Sequence, residues 1–225
     1  MTRHLHREIE NLKQQILSLS AVVEENVQRS VRALVNCDET LAAEAIRLDE
    51  DKVDRTEVDV EEECLKILAL HQPVASDLRF IIAVLKINND LERVGDMAVN
   101  IAERADYLAK ACPVEVPIDI RAMCEKAQSM LKCSLDALVN LDADLARGVC
   151  AQDDEVDELN RANYAAIQER IRTHPDDIEY LMHILAVSRH LERIADHATN
   201  IAEDVLYMVE GEIVRHRAAD YDSQF

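Results

Sequence analysis

The chain has 225 residues, enough for one large domain or two smaller ones with real cores. Asp and Glu number 45 against 25 Lys and Arg, a formal net charge of −20, and no Lys/Arg run breaks that balance, which weighs against nucleic acid and anionic lipid as partners. Three glycines and four prolines in an Ala-, Leu- and Glu-rich chain point to an all-α fold.

The N-terminus, MTRHLHREIENL, is charged and amphipathic rather than a signal peptide, and the longest apolar run, FIIAVL, is far below the roughly 18 residues a bilayer span requires. Leu5, Ile9, Leu12, Ile16, Leu19 and Val23 step by four and three, so a first helix runs from near residue 5 to about Asn36. Asp38 is placed to cap a second helix, about 38 to 70, with Val53, Val60, Cys64 and Ile67 on one side, which ends before Pro73. A third helix is expected from near Ser76 to about Lys110, with Ser76 or Asp77 as its cap. CPVEVPID, 112 to 119, is the linker. The order then repeats: helices from Ile120 to Asn140, Asp142 to about Thr173, and about Asp177 to Val209, with Gly211 as the stop.

Two tandem three-helix bundles result, at 1–111 and 120–216, with 217–225 as a mobile tail. The halves echo one another in sequence: NNDLERVGDMAVNIAE at 88–103 returns as SRHLERIADHATNIAE at 188–203, and RALVNCDETLA at 32–42 resembles LDALVNLDADLA at 135–146. Six cysteines are scattered without a C-x-x-C pair, the usage of reduced thiols in a cytosolic protein.

The repeated stretch carries two seams. In the third helix Phe80, Val84, Ile87, Leu91, Val94, Ala98, Ile101, Ala105 and Leu108 form an apolar one. Beside it runs a line that begins apolar, with Leu78, Ile82 and Leu85, and turns polar through Asn89, Glu92, Asp96, Asn100 and Glu103; the last helix repeats it with Glu192, Asp196, Asn200 and Glu203. Folding the second and third helices as an antiparallel hairpin about Pro73 sets Asp54 opposite Glu92 and Glu50 opposite Asp96. In the other half Asp157 mirrors Glu192 and Asp153 mirrors Asp196. Carboxylates held this close raise each other's pKa unless a cation lies between them. Carboxylate oxygens with an Asn carbonyl are hard donors suited to Mg, Ca, Mn or Fe, with Zn also admitted. A metal site in each bundle is therefore expected, made by Asp54, Glu92, Asp96 and Asn100 in the first and by Asp157, Glu192, Asp196 and Asn200 in the second.

QPVASDLR at 72–79, the two E-x-x-x-D stretches and VEGEIVRH at 209–216 together resemble the PhoU family of phosphate-uptake regulators over nearly the whole chain. The resemblance implies a cytoplasmic, usually dimeric regulator that represses the phosphate-starvation response. It also implies a link between a phosphate ABC transporter, through its ATPase, and a membrane sensor histidine kinase, without insertion into the membrane. Metal ions on the acidic motifs are implied as well, with Glu92 and Asp96 as one pair and Glu192 and Asp196 as the other. THPDDIEY departs from the family's Q-P-x-A-x-D-L-R pattern, Ala195 stands where the first half has Gly95, and Asn160 and Tyr164 stand where it has Glu57 and Glu61, so the second metal site is expected to be the weaker or differently filled one.

His183, His190 and His197 share one helix face at sevenfold spacing; partial exposure or core contacts account for them, with His197, beside Asp196, best placed to assist a metal. The alternative of a carboxylate-bridged metal-handling protein or di-iron enzyme lacks the E-x-x-H pairs that such sites use, since no histidine has a Glu three positions before it. No nucleotide loop or nucleophile motif is present either, so the protein is not expected to be an enzyme.

Overall fold

The computed structural model describes residues 3–111 and 113–211, except for the side chains at 3, 50 and 51. These residues form helices without strands: α1 (Arg3–Asn36), α2 (Glu39–Leu48), a π turn (Asp49–Val53), α3 (Asp54–His71), α4 (Ala75–Lys110), α5 (Ile120–Asn140), α6 (Ala143–Cys150), α7 (Asp153–Thr173), a 3-10 turn (Pro175–Asp177) and α8 (Ile178–Glu210). The tail, with Arg215 and His216, lies outside the described residues. None of the described helices is long and apolar enough to cross a membrane.

The echo between 32–42 and 135–146 is a corner built twice. Cys37 (φ 52°) and Leu141 (φ 51°) each take the left-handed conformation that turns the chain out of a helix. Asp38 then accepts hydrogen bonds from the Thr40 and Leu41 amides, and Asp142 from those of Asp144 and Leu145. Each half wraps a long first helix, an interrupted second arm and a long third helix around Leu12, Leu19, Ile87, Leu91 and Ile101 or around Met123, Met130, Leu191, Ile194 and Ile201, all at most 1% exposed.

The second arm is not one helix in either half, contrary to the expected 38–70 and 142–173. The first half has fifteen steps from the capping Asp38 to the buried Val53; the second has fourteen from Asp142 to the buried Val156. The surplus residue is absorbed by the π turn, whose wider ring accommodates one insertion. In the second half the arm breaks instead at Ala151 and Gln152. At the α3–α4 corner Val74 occupies the N-cap without a side-chain hydrogen bond, so Ser76 and Asp77 fall within the first turn of α4 and do not cap it.

The bundles join through α4 and α8, packed antiparallel. Asp90 Oδ1 lies 2.8 Å from His197 Nδ1, Met97 Sδ 3.3 Å from His190 Nδ1, and the Tyr107 and His183 rings stack at 3.8 Å. Lys86 Nζ donates to Asp204 Oδ1 at 3.0 Å. The histidines therefore serve the seam between the bundles.

Candidate metal centre

In the second half α7 and α8 meet at polar, close-fitting positions. Ser188 on α8 donates to Asn160 Oδ1 at 2.9 Å and accepts from Asn163 Nδ2 at 3.1 Å, both on α7. Two to three helical turns further on, Thr199 Oγ1 donates to Asp153 Oδ1 at 3.0 Å. Between these clamps the register brings Asp157, Glu192 and Asp196 together, one oxygen of each lying within 4.8 Å of the others. Burial, then Glu192, Asp153 and Asp157, pushes the Asp196 carboxyl up to about 6, while His197 opposes the rise. Burial and then Asp157 raise Glu192, although Arg189 and Arg193 draw it back. Asp153 is raised by burial against the Thr199 hydrogen bond. The exposed Arg161 reaches Asp157 Oδ2 at 3.2 Å from the solvent side.

Convergent carboxylates, two of them raised by burial and by their neighbours, are an arrangement that a proton or a cation relieves. The donor set is all oxygen, which fits a hard divalent or trivalent ion and supplies charge neutralisation without reactive chemistry.

The first half places the equivalent residues differently. Asp49, in the π turn and 6% exposed, points beneath α4 and accepts from Asn26 Nδ2 at 3.2 Å. Burial, then Asp54 and Asp96, pushes its carboxyl up to about 7. Gly95 makes the room: a Cβ there would sit 2.5 Å from Asp49 Oδ1 and 3.1 Å from Val53 Cγ1. Glu57 is tied to α4, its carbonyl and Oε1 accepting from Asn88 Nδ2 at 2.9 and 3.2 Å. Glu92 is raised by burial and then Asp96, and its Oε2 is shielded from water without a hydrogen bond. Arg93 stands 3.3 Å from that oxygen and 3.4 Å from Asp96 Oδ2.

The sequence-derived pairings of Asp54 with Glu92 and of Asp157 and Asp153 with Glu192 and Asp196 are electrostatic neighbours in the fold. The Asp96 charge is felt by Asp49, while the Glu50 side chain, expected opposite Asp96, lies outside the described residues. Asn100 donates to its own helix at Asp96 O, 2.7 Å away. Asn200 Nδ2 donates across the bundle seam to Asp90 Oδ1 at 3.3 Å, and His197 faces the same oxygen, so its first partner is Asp90. Among the described residues the carboxylate trio forms in the second half, the one expected to be weaker. Asp49 and Asn26 escaped the sequence reading; the fifteen-against-fourteen spacing and the Gly95–Ala195 difference were the available signals. Cys37, Cys64, Cys124, Cys133 and Cys150 are free thiols, and burial pushes Cys64, Cys124 and Cys150 up to about 12.

Fold and site define a class: an all-helical protein of two repeated three-helix bundles with paired carboxylates on each hairpin. The PhoU domain matches residues 16–105 and again 120–205, and the chain belongs to the PhoU family. It is 41% identical, over 95% of its length and 96% of the relative's, to the phosphate-specific transport system accessory protein PhoU homolog of Aquifex aeolicus. To the homolog of Pseudomonas aeruginosa it is 37% identical, over 96% and 89%. The crystal structure of PhoU from Pseudomonas aeruginosa superimposes with a TM-score of 0.87, covering 92% of this chain and 99% of that one. The phosphate transport system regulatory protein PhoU from Streptococcus pneumoniae gives 0.81 at 31% identity, covering 93% and 99%. These relatives are named as accessory and regulatory proteins, not as enzymes.

Proposed function

We propose that this protein is a negative regulator of the phosphate-starvation response and of phosphate uptake, acting in the cytoplasm by contact with the ATPase of a phosphate ABC transporter and with a sensor histidine kinase, as a homodimer. The observation that carries this reading is the match of both halves to the PhoU domain, with a relative named for phosphate-specific transport aligned along almost the entire chain. The test is a phosphate-starvation reporter in a strain lacking the gene. Derepression in high phosphate, restored by the wild-type chain, is expected; unchanged repression overturns the reading.

The second part of the proposal is that the acidic hairpins bind metal ions, which hold the helices of each bundle together by neutralising their facing carboxylates. The converging oxygens of Asp157, Glu192 and Asp196 support it. Asp54, Glu92, Asp96 and Asn100 on one hairpin and Asp157, Glu192, Asp196 and Asn200 on the other are the residues assigned to the ions. The absence of E-x-x-H pairs from the sequence disfavours the di-iron enzyme alternative; oxygen consumption on Fe(II) addition would revive it.

A further inference from the structure

The two hairpins present different surfaces beyond their acidic ends. On α3 the row of Asp54, Glu57 and Glu61 continues toward the corner as Leu65 and Leu68, and on α4 the row that holds Glu92 continues as Leu85 and Leu78. Both rows border one seam, since Glu92 feels the charges of Glu57 and Asp54. The hydrogen bonds from Asn88 to Glu57 fix the register. Counted along the helices from that tie, Leu65 lies about 12 Å away, between Ile82 at about 9 Å and Leu78 at about 15 Å, so the three occupy one stretch of the seam. That stretch is open to solvent: Leu65 is 54% exposed and Leu78 39%, with Val58, two turns back on α3, at 49%. An apolar row of this kind on two adjoining helices goes beyond the single exposed side chains of an ordinary surface.

Carboxylates flank the row. Glu61 and Glu62 are exposed, one turn from Leu65, and neither is in an ion pair among the described residues; Lys66, the cation beside Leu65, is held by Glu63 at 2.9 Å. The second hairpin also exposes apolar groups, Tyr164 at 56% and Met182 at 51%. There, however, Tyr164 and Ala165 stand where the first has Glu61 and Glu62, and Arg189 where it has Asn89. Of the two hairpins, the first sets unpaired negative charge beside its apolar row.

We infer that the α3–α4 face around Leu65 and Leu78 is the docking surface for an amphipathic helix of a partner protein, with an apolar stripe bordered by Lys or Arg. Such a helix lies along the hairpin as a fourth member of the first bundle, its apolar side chains covering Leu65, Ile82 and Leu78. Its cations stand over Glu61 and Glu62, which fixes its orientation and rejects acidic helices. The same face of a second copy would set Glu61 and Glu62 against their own kind, so the charge favours a basic partner over self-pairing. The inference rests on the regulatory reading for the existence of a protein partner and goes beyond it in placing the contact.

The test uses the full chain and a fluorescent amphipathic peptide of Leu and Lys, about 18 residues long to span five turns, beside its Leu and Glu counterpart. Mn²⁺ is present throughout, so that carboxylates assigned to ions are not what the peptide finds. Wild type is expected to bind the Lys peptide saturably, at one per chain, and to ignore the Glu peptide. Leu65→Ser with Leu78→Ser is expected to weaken binding roughly ten-fold or more, and Glu61→Gln with Glu62→Gln several-fold. Tyr164→Ser with Met182→Ser is expected to leave Kd unchanged. Equal loss in the two apolar pairs, no loss in the first, or equal binding of the Glu peptide overturns the site. So does conversion of a dimer to a monomer by Leu65→Ser with Leu78→Ser, which would show that a second copy covers the face. In the strain lacking the gene, that variant is expected to unfold cooperatively as wild type does yet fail to restore repression. Full restoration by it, where wild type also restores, overturns the placement and leaves the regulatory reading standing. Failure of wild type itself to restore repression overturns the regulatory reading instead.

Discussion

The two hairpins start from nearly the same acidic sequence and dispose of their charge differently. In the first, one extra residue forms a π turn that carries Asp49 under α4, into space that exists because residue 95 is glycine and beside Asn26, which donates to it. In the second, the matching positions hold Ala195 and, in step with the shared corner, Met130, both apolar and at most 1% exposed. Asp153 stays near the surface, bonded to Thr199, and the trio of Asp157, Glu192 and Asp196 converges outside it. The first hairpin spreads carboxylates between core and rim and covers the rim with Arg93; the second concentrates them at the rim. A one-residue change in helix spacing thus decides whether an aspartate becomes a buried acid under α4 or stays near the surface, bonded to a threonine.

The most direct way to break this contrast is at the paired positions 95 and 195. Gly95→Ala drives a methyl into Asp49 and Val53 and is expected to destabilise by about 2–3 kcal/mol in urea unfolding. In an Asp49→Ala background most of that cost is expected to disappear, because only the Val53 contact at 3.1 Å remains and alanine favours helix. Ala195→Gly has no such partner and is expected to cost about 1 kcal/mol. Equal effects of Gly95→Ala in both backgrounds contradict the placement of Asp49.

A somewhat smaller effect separates the halves by pH. The Asp49 carboxyl titrates at about 7 in the folded chain against an unperturbed 3.8. Between those values the native state holds the proton and the unfolded state does not, so stability falls as pH rises through this window. With chelator present, the chain is expected to lose roughly 2 kcal/mol between pH 5 and pH 8, and Asp49→Asn to remove most of that slope. Asp196, at about 6, supplies what remains and loses it at lower pH.

The smallest expected difference lies where the halves agree. Asp38→Ala and Asp142→Ala each remove a cap that satisfies two amide groups, and both are expected to cost about 1 kcal/mol. Clearly unequal losses in thermal unfolding would show that the corners are not equivalent.

Much of this was legible in the sequence because helical periodicity, capping aspartates and a duplicated stretch are local signals. Asp38 and Gly211 sit at the helix ends where the pattern puts them, and the apolar seam from Val84 to Leu108 is the buried face of α4. The hairpin register comes from counting outward from Pro73. Counting does not convey the π turn: one inserted residue rotates the helix before it by about 100° relative to the helix after it. Counting sets Glu50 opposite Asp96 and gives no sign that Asp49 lies under α4 against Gly95. The histidines and Asn200 escape a reading of single helices for a related reason. Their neighbours lie on the other bundle, and no signal within one helix says which of its faces the second bundle covers.

The central claim is that the acidic hairpins are cation sites and that the second is the better formed. It is tested most directly by titrating the chelated protein with Mn²⁺ and measuring bound metal and Tm for wild type, Asp96→Asn and Asp196→Asn. The account predicts saturable uptake by the wild type with a rise in Tm, loss of the tightest binding in Asp196→Asn, and a smaller loss in Asp96→Asn. No uptake by the wild type, or Asp196→Asn binding as the wild type does, contradicts it.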